Sequence, residues 1–149
     1  MIEIERKFLL KDNWKDYPFI VDKTNRIHQG YLTKNENGSV RIRTELIGCD
    51  MKCYLMSKTK IDDKMSNFET TDEISPKTAE ILMNCFCPKI IKKTRAIVFE
   101  NGKKWEVDFF DSGLILAEVE LNHVDEEIKL PEWIGQEITG QSQYYNANM

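Results

Sequence analysis

The stretch Ile2-Glu3-Ile4-Glu5-Arg6-Lys7-Phe8-Leu9 decides how the chain is read. Side chains two apart on a strand share a face. Glu3, Glu5 and Lys7 therefore fall on one side, and Ile2, Ile4 and Phe8 on the other. Four later segments do the same. Arg41 and Arg43 stand opposite Val40 and Ile42, and Lys93 and Arg95 share a face. Asp108 stands opposite Val107 and Phe109, with Trp105 on their side. Glu118 and Glu120 stand opposite Ala117, Val119 and Leu121. The ionic faces are sorted by sign.

Alternation extends through residues 2–9, 27–32, 40–46, 51–59, 68–74, 91–99, 104–110 and 116–121. Eight such segments predict an antiparallel sheet that can close on itself. Helical signals are fewer. Ser75-Pro76 supplies a hydroxyl cap with proline at the first helical position, and Ala79, Leu82, Met83 and Phe86 then share a face until Pro88. A short helix is expected near residues 12–17, stopped by Pro18. Pro131-Glu132-Trp133-Ile134 opens a further turn or helix, and the last residues form one more. Glu36-Asn37-Gly38 and Asn101-Gly102 read as hairpin tips.

Composition bounds the remaining choices. A chain of 149 residues is about one domain and buries a core without metal or disulfide staples. With 41% hydrophobic and 31% charged residues and only 7 Gly and 4 Pro, collagen-like and low-complexity classes are excluded, and the composition argues against wholesale disorder. A net charge of −4 argues against a general nucleic-acid partner. No run approaches the ~20 apolar residues that span a bilayer. The N-terminus, charged from its third residue, lacks a signal peptide's apolar core, so a cytoplasmic location without a membrane partner is expected. Cys49, Cys53, Cys85 and Cys87, at C-x3-C and C-x-C spacing, suit reduced, partly buried thiols better than zinc ligands. His28 and His123 read as structural and exposed residues, Trp14, Trp105 and Trp133 as packing for helices on the barrel exterior. Apart from Lys58, the run from residue 58 to residue 64 reads as a solvated loop.

Alternating charge is most simply a solvated sheet face. Two points weigh against that here. Like charges paired directly across strands cost energy, so a free surface would mix its signs. Uncharged Thr, Ser and Gln would also serve a surface, yet these positions are consistently ionic. A closed barrel with its apolar residues outward turns the charges into a water-filled tunnel. Unpaired ions there cost several kcal/mol each, so cations and carboxylates must face opposite partners. A cluster of cations calls for a polyanion, and nearby carboxylates for an oxygen-liking divalent ion such as Mg²⁺ or Mn²⁺. Polyphosphate with its metal satisfies both.

The motifs that follow resemble the CYTH superfamily, the triphosphate tunnel metalloenzymes. Glu3-x-Glu5-x-Lys7 resembles the E-x-E-x-K signature of that family. Gln29-Gly30-Tyr31-Leu32, Arg41-Ile42-Arg43, Tyr54-Leu55-Met56-Ser57-Lys58, Lys93-Thr94-Arg95, Trp105-Glu106-Val107-Asp108-Phe109 and Ala117-Glu118-Val119-Glu120-Leu121 follow in the family's order. So does the ending Pro131-x-Trp133-Ile134-Gly135-x-Glu137-Ile138-Thr139, with Tyr144 and Asn146 after it.

The resemblance implies a single α+β, mainly β domain over residues 1–149: an eight-stranded antiparallel barrel with a few outer helices and a C-terminal helical plug. By motif position Lys7, Arg41, Arg43, Lys58, Lys93 and Arg95 would grip phosphate oxygens. Glu3, Glu5, Glu69, Asp108, Glu118 and Glu120 would hold one or two Mg²⁺ or Mn²⁺. Glu118, Glu120 and Glu3 would take the main metal, and Glu5 and Glu69 would sit nearer a second metal or the attacking water. Tyr31 matches a position proposed as proton acceptor, although an unassisted tyrosine is a poor base at neutral pH and a structural role competes. Two positions depart from the pattern. Thr71 stands where a second carboxylate is common after Glu69, and Gln143 where an arginine often precedes Tyr144. The implied activity is metal-dependent hydrolysis of tripolyphosphate to pyrophosphate and phosphate, as in short bacterial members. Alternatives are a class IV adenylate cyclase, hydrolysis of thiamine or nucleoside triphosphate, and a non-catalytic polyphosphate-binding module. A homodimer is left open.

Overall fold

In the computed structural model, residues 1–63 and 65–149 are described. Eight antiparallel strands close into a barrel: β1 (Ile2–Leu10), β2 (Lys23–Asn35), β3 (Gly38–Ile47), β4 (Asp50–Lys60), β5 (Ser66–Ile74), β6 (Ile90–Glu100), β7 (Lys103–Phe110) and β8 (Ile115–Glu120). Their order is β5-β4-β3-β2-β6-β7-β8-β1, and β1 returns to β5 through Ile2–Phe68, Glu3–Asn67 and Ile4–Ser66. Closure matters because an open edge would leave strand N–H and C=O groups unpaired. A ninth strand, β9 (Ile134–Glu137), adds to β1 through Phe8–Glu137 and Leu10–Ile134. The sequence pattern does not reveal β9, which is too short to alternate visibly. It lies just past the turn expected at Pro131, where the Ile134 N–H reaches the Pro131 carbonyl.

Both hairpin tips form as expected. Asn35 pairs with Gly38 around Glu36-Asn37, and Glu100 with Lys103 around Asn101-Gly102. Asn101 and Gly102 both take positive φ, 53° and 75°, as the turn matched to strand twist requires. Lys60 extends β4 instead of joining the expected loop, and Lys64 lies outside the described residues.

The sequence suggests several helices, whereas the described residues hold one α-helix, α1 (Pro76–Phe86). Ser75 Oγ accepts from the Thr78 N–H at 3.1 Å, the expected cap. Ala79 and Met83 bury against Ile42 and Cys53 on the outside of β3 and β4. Phe86 shares their periodicity but stays exposed. At that end Cys87 presses on β2 instead, so closely that a Cβ on Gly30 would lie 2.7 Å from the Cys87 Cβ. A single 3-10 turn, Trp14–Asp16, replaces the helix expected near residues 12–17, and two more at Ser142–Tyr144 and Asn146–Asn148 form the C-terminal segment. None of the described helices is long and apolar enough to cross a membrane.

The opposite outer wall carries the main aromatic core. Phe8, Trp105 and Trp133 are fully buried with Val107, Val119 and Ala117. Trp133 meets Trp105 edge-on at 5.7 Å and Phe19 at 5.0 Å. Trp14, Tyr17 and Phe19 cover it. The tryptophans thus lie on the exterior as expected, under irregular chain in place of helices. All four cysteines are free thiols, with Cys53 buried, Cys87 partly buried, and Cys49 and Cys85 exposed.

Candidate functional site

With apolar residues packed outward, strand alternation sends the ionic residues inward. Glu3, Glu5 and Lys7 of β1, Arg41 and Arg43 of β3, Lys58 of β4, Glu69 of β5, Lys93 and Arg95 of β6 and Glu118 of β8 line one chamber of about 270 Å³. A wider cavity of about 630 Å³ shares Glu5, Lys7, Arg41, Lys58 and Asn146 with it, and Tyr31 lines that one. The six expected cations, from four strands, therefore meet in one enclosure, with Lys23 of β2 and Lys104 of β7 also on its lining. The floor is apolar: Ile91, Phe110, Leu116 and Ile138, with Tyr31 and Tyr144 against them.

Within the chamber the signs interleave. Asp108 is almost wholly buried and takes Lys93 Nζ at 2.7 Å, Arg95 Nε at 2.7 Å and Arg95 Nη2 at 2.9 Å. Burial pushes its carboxyl up, but Lys93 and Arg95 outweigh that and hold it below its ordinary value. Asp108 thus lies behind the cations, orienting them, and is not itself in the chamber lining. Lys93 is 0% exposed, and burial, then Arg95 and Arg43, pull its ammonium down to about 7. Its Nζ also donates to Asn146 Oδ1 at 3.3 Å. Arg95 further contacts Glu106. Burial, then Arg41 and Arg95, draw Arg43 down to about 10.

The carboxylate side centres on β1. Lys7 Nζ lies 3.2 Å from Glu118, and Lys58 Nζ lies 2.8 Å from Glu3, 3.0 Å from Glu5 and 3.9 Å from Glu69. Burial raises Glu118, but Lys7, Arg95 and Lys93 override it and hold it well below the usual range. Glu5 goes the other way. Burial first, then Glu118 and Glu3, lift it to about 7 against the opposing pull of Lys58 and Lys7. Glu120 is exposed outside the lining, yet burial of its carboxyl, then Glu3 and Glu106, raise it.

No three Asp, Glu, His or Cys side chains among the described residues are already gathered as a metal-ligand set. The carboxylates nevertheless fit a hard divalent cation, because the Lys58 ammonium stands in a cation's place between Glu3 and Glu5. A bound divalent ion would relieve all-oxygen donors in which burial and neighbouring carboxylates force one carboxyl upward.

Thr71 and Gln143 are exposed and line neither cavity. His28 is only partly buried, paired in register with Lys92, and burial, then Arg26 and Lys92, lower it. His123 is exposed. Lys23, Asn25, Glu45, Ile97, Lys104, Glu106 and Asn146 also line the chamber and are not among the expected site residues. Glu45 and Glu106 continue the inward alternation of Arg41-Arg43 and Asp108, so the same signal could have found them. Asn25 and Asn146 are neutral, and only strand register and the folded-back C-terminus place them there.

A family model described as the CYTH domain matches residues 1–148. The chain belongs to the CYTH family. Among its relatives, an inorganic triphosphatase from Acetivibrio thermocellus is 34% identical, the match covering 99% of this chain and 92% of that one. The CYTH fold recurs in the crystal structure of the inorganic triphosphatase NE1496 at a TM-score of 0.67 and 27% identity, covering 98% of this chain and 92% of that one. A candidate adenylate cyclase from Vibrio parahaemolyticus shares the CYTH fold at a TM-score of 0.56 and 20% identity, over 85% of this chain and 79% of that one.

Proposed function

We propose that this CYTH protein hydrolyses inorganic tripolyphosphate to pyrophosphate and phosphate with the help of a divalent metal. One observation carries the reading: Lys7, Arg41, Arg43, Lys58, Lys93 and Arg95 converge in one chamber against carboxylates. A chain of phosphates presents repeated anionic oxygens, and the chamber supplies cations for them from several directions. Phosphoryl transfer needs positioning and charge neutralisation more than covalent help, so a fixed cation cage is most of the catalyst. The Lys93–Asp108–Arg95 cluster is held before substrate arrives and needs little reorganisation.

Glu3, Glu5 and Glu118, with Glu69 beside them, would hold Mg²⁺ or Mn²⁺. When bound, that ion supplies positive charge to phosphate oxygens and to the acidic wall. Glu69, which lines the same chamber on the strand paired with β1, can accept the proton that the attacking water gives up. The water oxygen bonds to the terminal phosphorus, the bridging P–O bond breaks, and pyrophosphate leaves with that electron pair. Tyr31 lines the wider cavity on the strand next to Arg41, where a structural role suits it better than that of base.

The names of the two triphosphatase relatives support hydrolysis, whereas the likeness to the candidate cyclase is one of fold. The test is incubation with Mg²⁺ or Mn²⁺ and tripolyphosphate, ATP or thiamine triphosphate, scoring phosphate, pyrophosphate and cyclic AMP. Phosphate and pyrophosphate from tripolyphosphate, lost on chelation, are expected. Cyclic AMP from ATP, or binding without turnover, would overturn the assignment.

A further inference from the structure

We propose that Gln29 is a positioning residue that aims Arg43 at the anion without cancelling its charge, and so sets the affinity of the chamber. The proposal rests on the triphosphatase reading for its substrate. Gln29 is 0% exposed at the centre of β2, in register with Arg43 on one side and Ile91 on the other. Its Oε1 accepts from Arg43 Nε at 3.4 Å and from Nη2 at 3.3 Å. Those two donors form one edge of the planar guanidinium. With that edge held, the Nη1 side is left, and Glu45 stands 3.5 Å from Nη1.

Two observations argue that this is more than packing. First, the Gln29 Nε2 amide is buried without an acceptor. A core would avoid that cost with Leu or Met, so the amide is retained for what its oxygen does. The two arginine donors fix which end is oxygen, since the NH₂ group cannot accept. Secondly, Arg43 lies in a repulsive field, with Arg41 two residues away on the same face and Arg95 nearby. Glu45 is already one carboxylate on the Nη1 side, so a neutral acceptor on the other edge restrains Arg43 without adding a second countercharge. A carboxylate in the same place would form an ion pair that phosphate must compete with.

The experiment compares wild type with Gln29→Glu and Gln29→Met, each also in an Arg43→Lys background. It measures KM and kcat with tripolyphosphate, tripolyphosphate affinity by calorimetry, and Tm. Gln29→Glu, which retains shape and provides a partner for Arg43, is expected to fold, to weaken affinity and raise KM at least tenfold, and to change kcat little. Gln29→Met is expected to raise KM less, by a few-fold. In the Arg43→Lys background both effects shrink, because the fork Gln29 holds is gone. KM and affinity within twofold of wild type for Gln29→Glu, or effects undiminished in the Arg43→Lys background, would overturn the proposal. So would a Gln29→Glu protein too unstable to assay, which would make the residue a packing element. Wild-type protein that binds tripolyphosphate without turning it over would sink the triphosphatase reading instead, and calorimetry would still score Gln29.

Discussion

Two regions inside the barrel are built from the same strands and differ completely in chemistry. On β6 the step from Ile91 to Lys93 passes from apolar floor to charged chamber, as does Leu116 to Glu118 on β8, and Phe110 to Asp108 on β7 leads to the carboxylate behind those cations. The floor keeps water from the ions just above it. Lys93 sits there, 5.1 Å over the Phe110 ring, and is pulled down to about 7. Lys58, among Glu3, Glu5 and Glu69, is shifted upward instead: burial lowers it, but the carboxylates prevail. Two lysines in one chamber are thus shifted in opposite directions, which teaches that depth of burial and the signs of the nearest charges together set how each cation answers an anion.

The harshest way to break this contrast is Asp108→Asn. It strands Lys93 and Arg95 beside the floor without their carboxylate and should cost about 3–5 kcal/mol of unfolding free energy, read by urea denaturation. Leu116→Ala attacks the other region. A hole in the floor should cost about 3 kcal/mol while disturbing tripolyphosphate affinity far less than Asp108→Asn does.

A gentler probe is pH. Because Lys93 is depressed from its ordinary 10.5 to about 7, its contribution to stability is present above that ordinary value and is lost as pH falls through 7, by at most ~1.4 kcal/mol per pH unit. A bound polyanion favours the charged form of a lysine held below its ordinary value, so tripolyphosphate binding at mildly alkaline pH should take up protons at Lys93. Calorimetry in buffers of different ionisation heat measures that uptake, and Lys93→Met should remove it, the ligand's own titration cancelling in the difference. The smallest effect is expected outside the barrel: Ser75→Ala should cost about 1 kcal/mol by uncapping α1 and leave KM unchanged.

Much of this was legible in the chain itself. Period-two alternation named the eight barrel strands, and Ser75-Pro76 named α1, because local backbone preferences and burial of one face suffice for both. The inward set of Glu3, Glu5, Lys7, Arg41, Arg43, Lys93, Arg95 and Glu118 followed from the same parity. Asp108 was placed on the right face, but its setting behind Lys93 and Arg95 was not, since parity says which side a residue faces and not its depth along the barrel axis. Glu120 shares Glu118's parity and still ends outside the lining, for it is the last residue of β8.

What the amino-acid order determined alone was which residues would be inside, since apolar side chains must leave water and their neighbours must then face the other way. Which ions meet, which of them lie against oil, and that a neutral glutamine holds an arginine were decided only when eight strands closed in one register. Coulombic and desolvation energies depend on distances between residues far apart in the chain, and closure alone sets those distances.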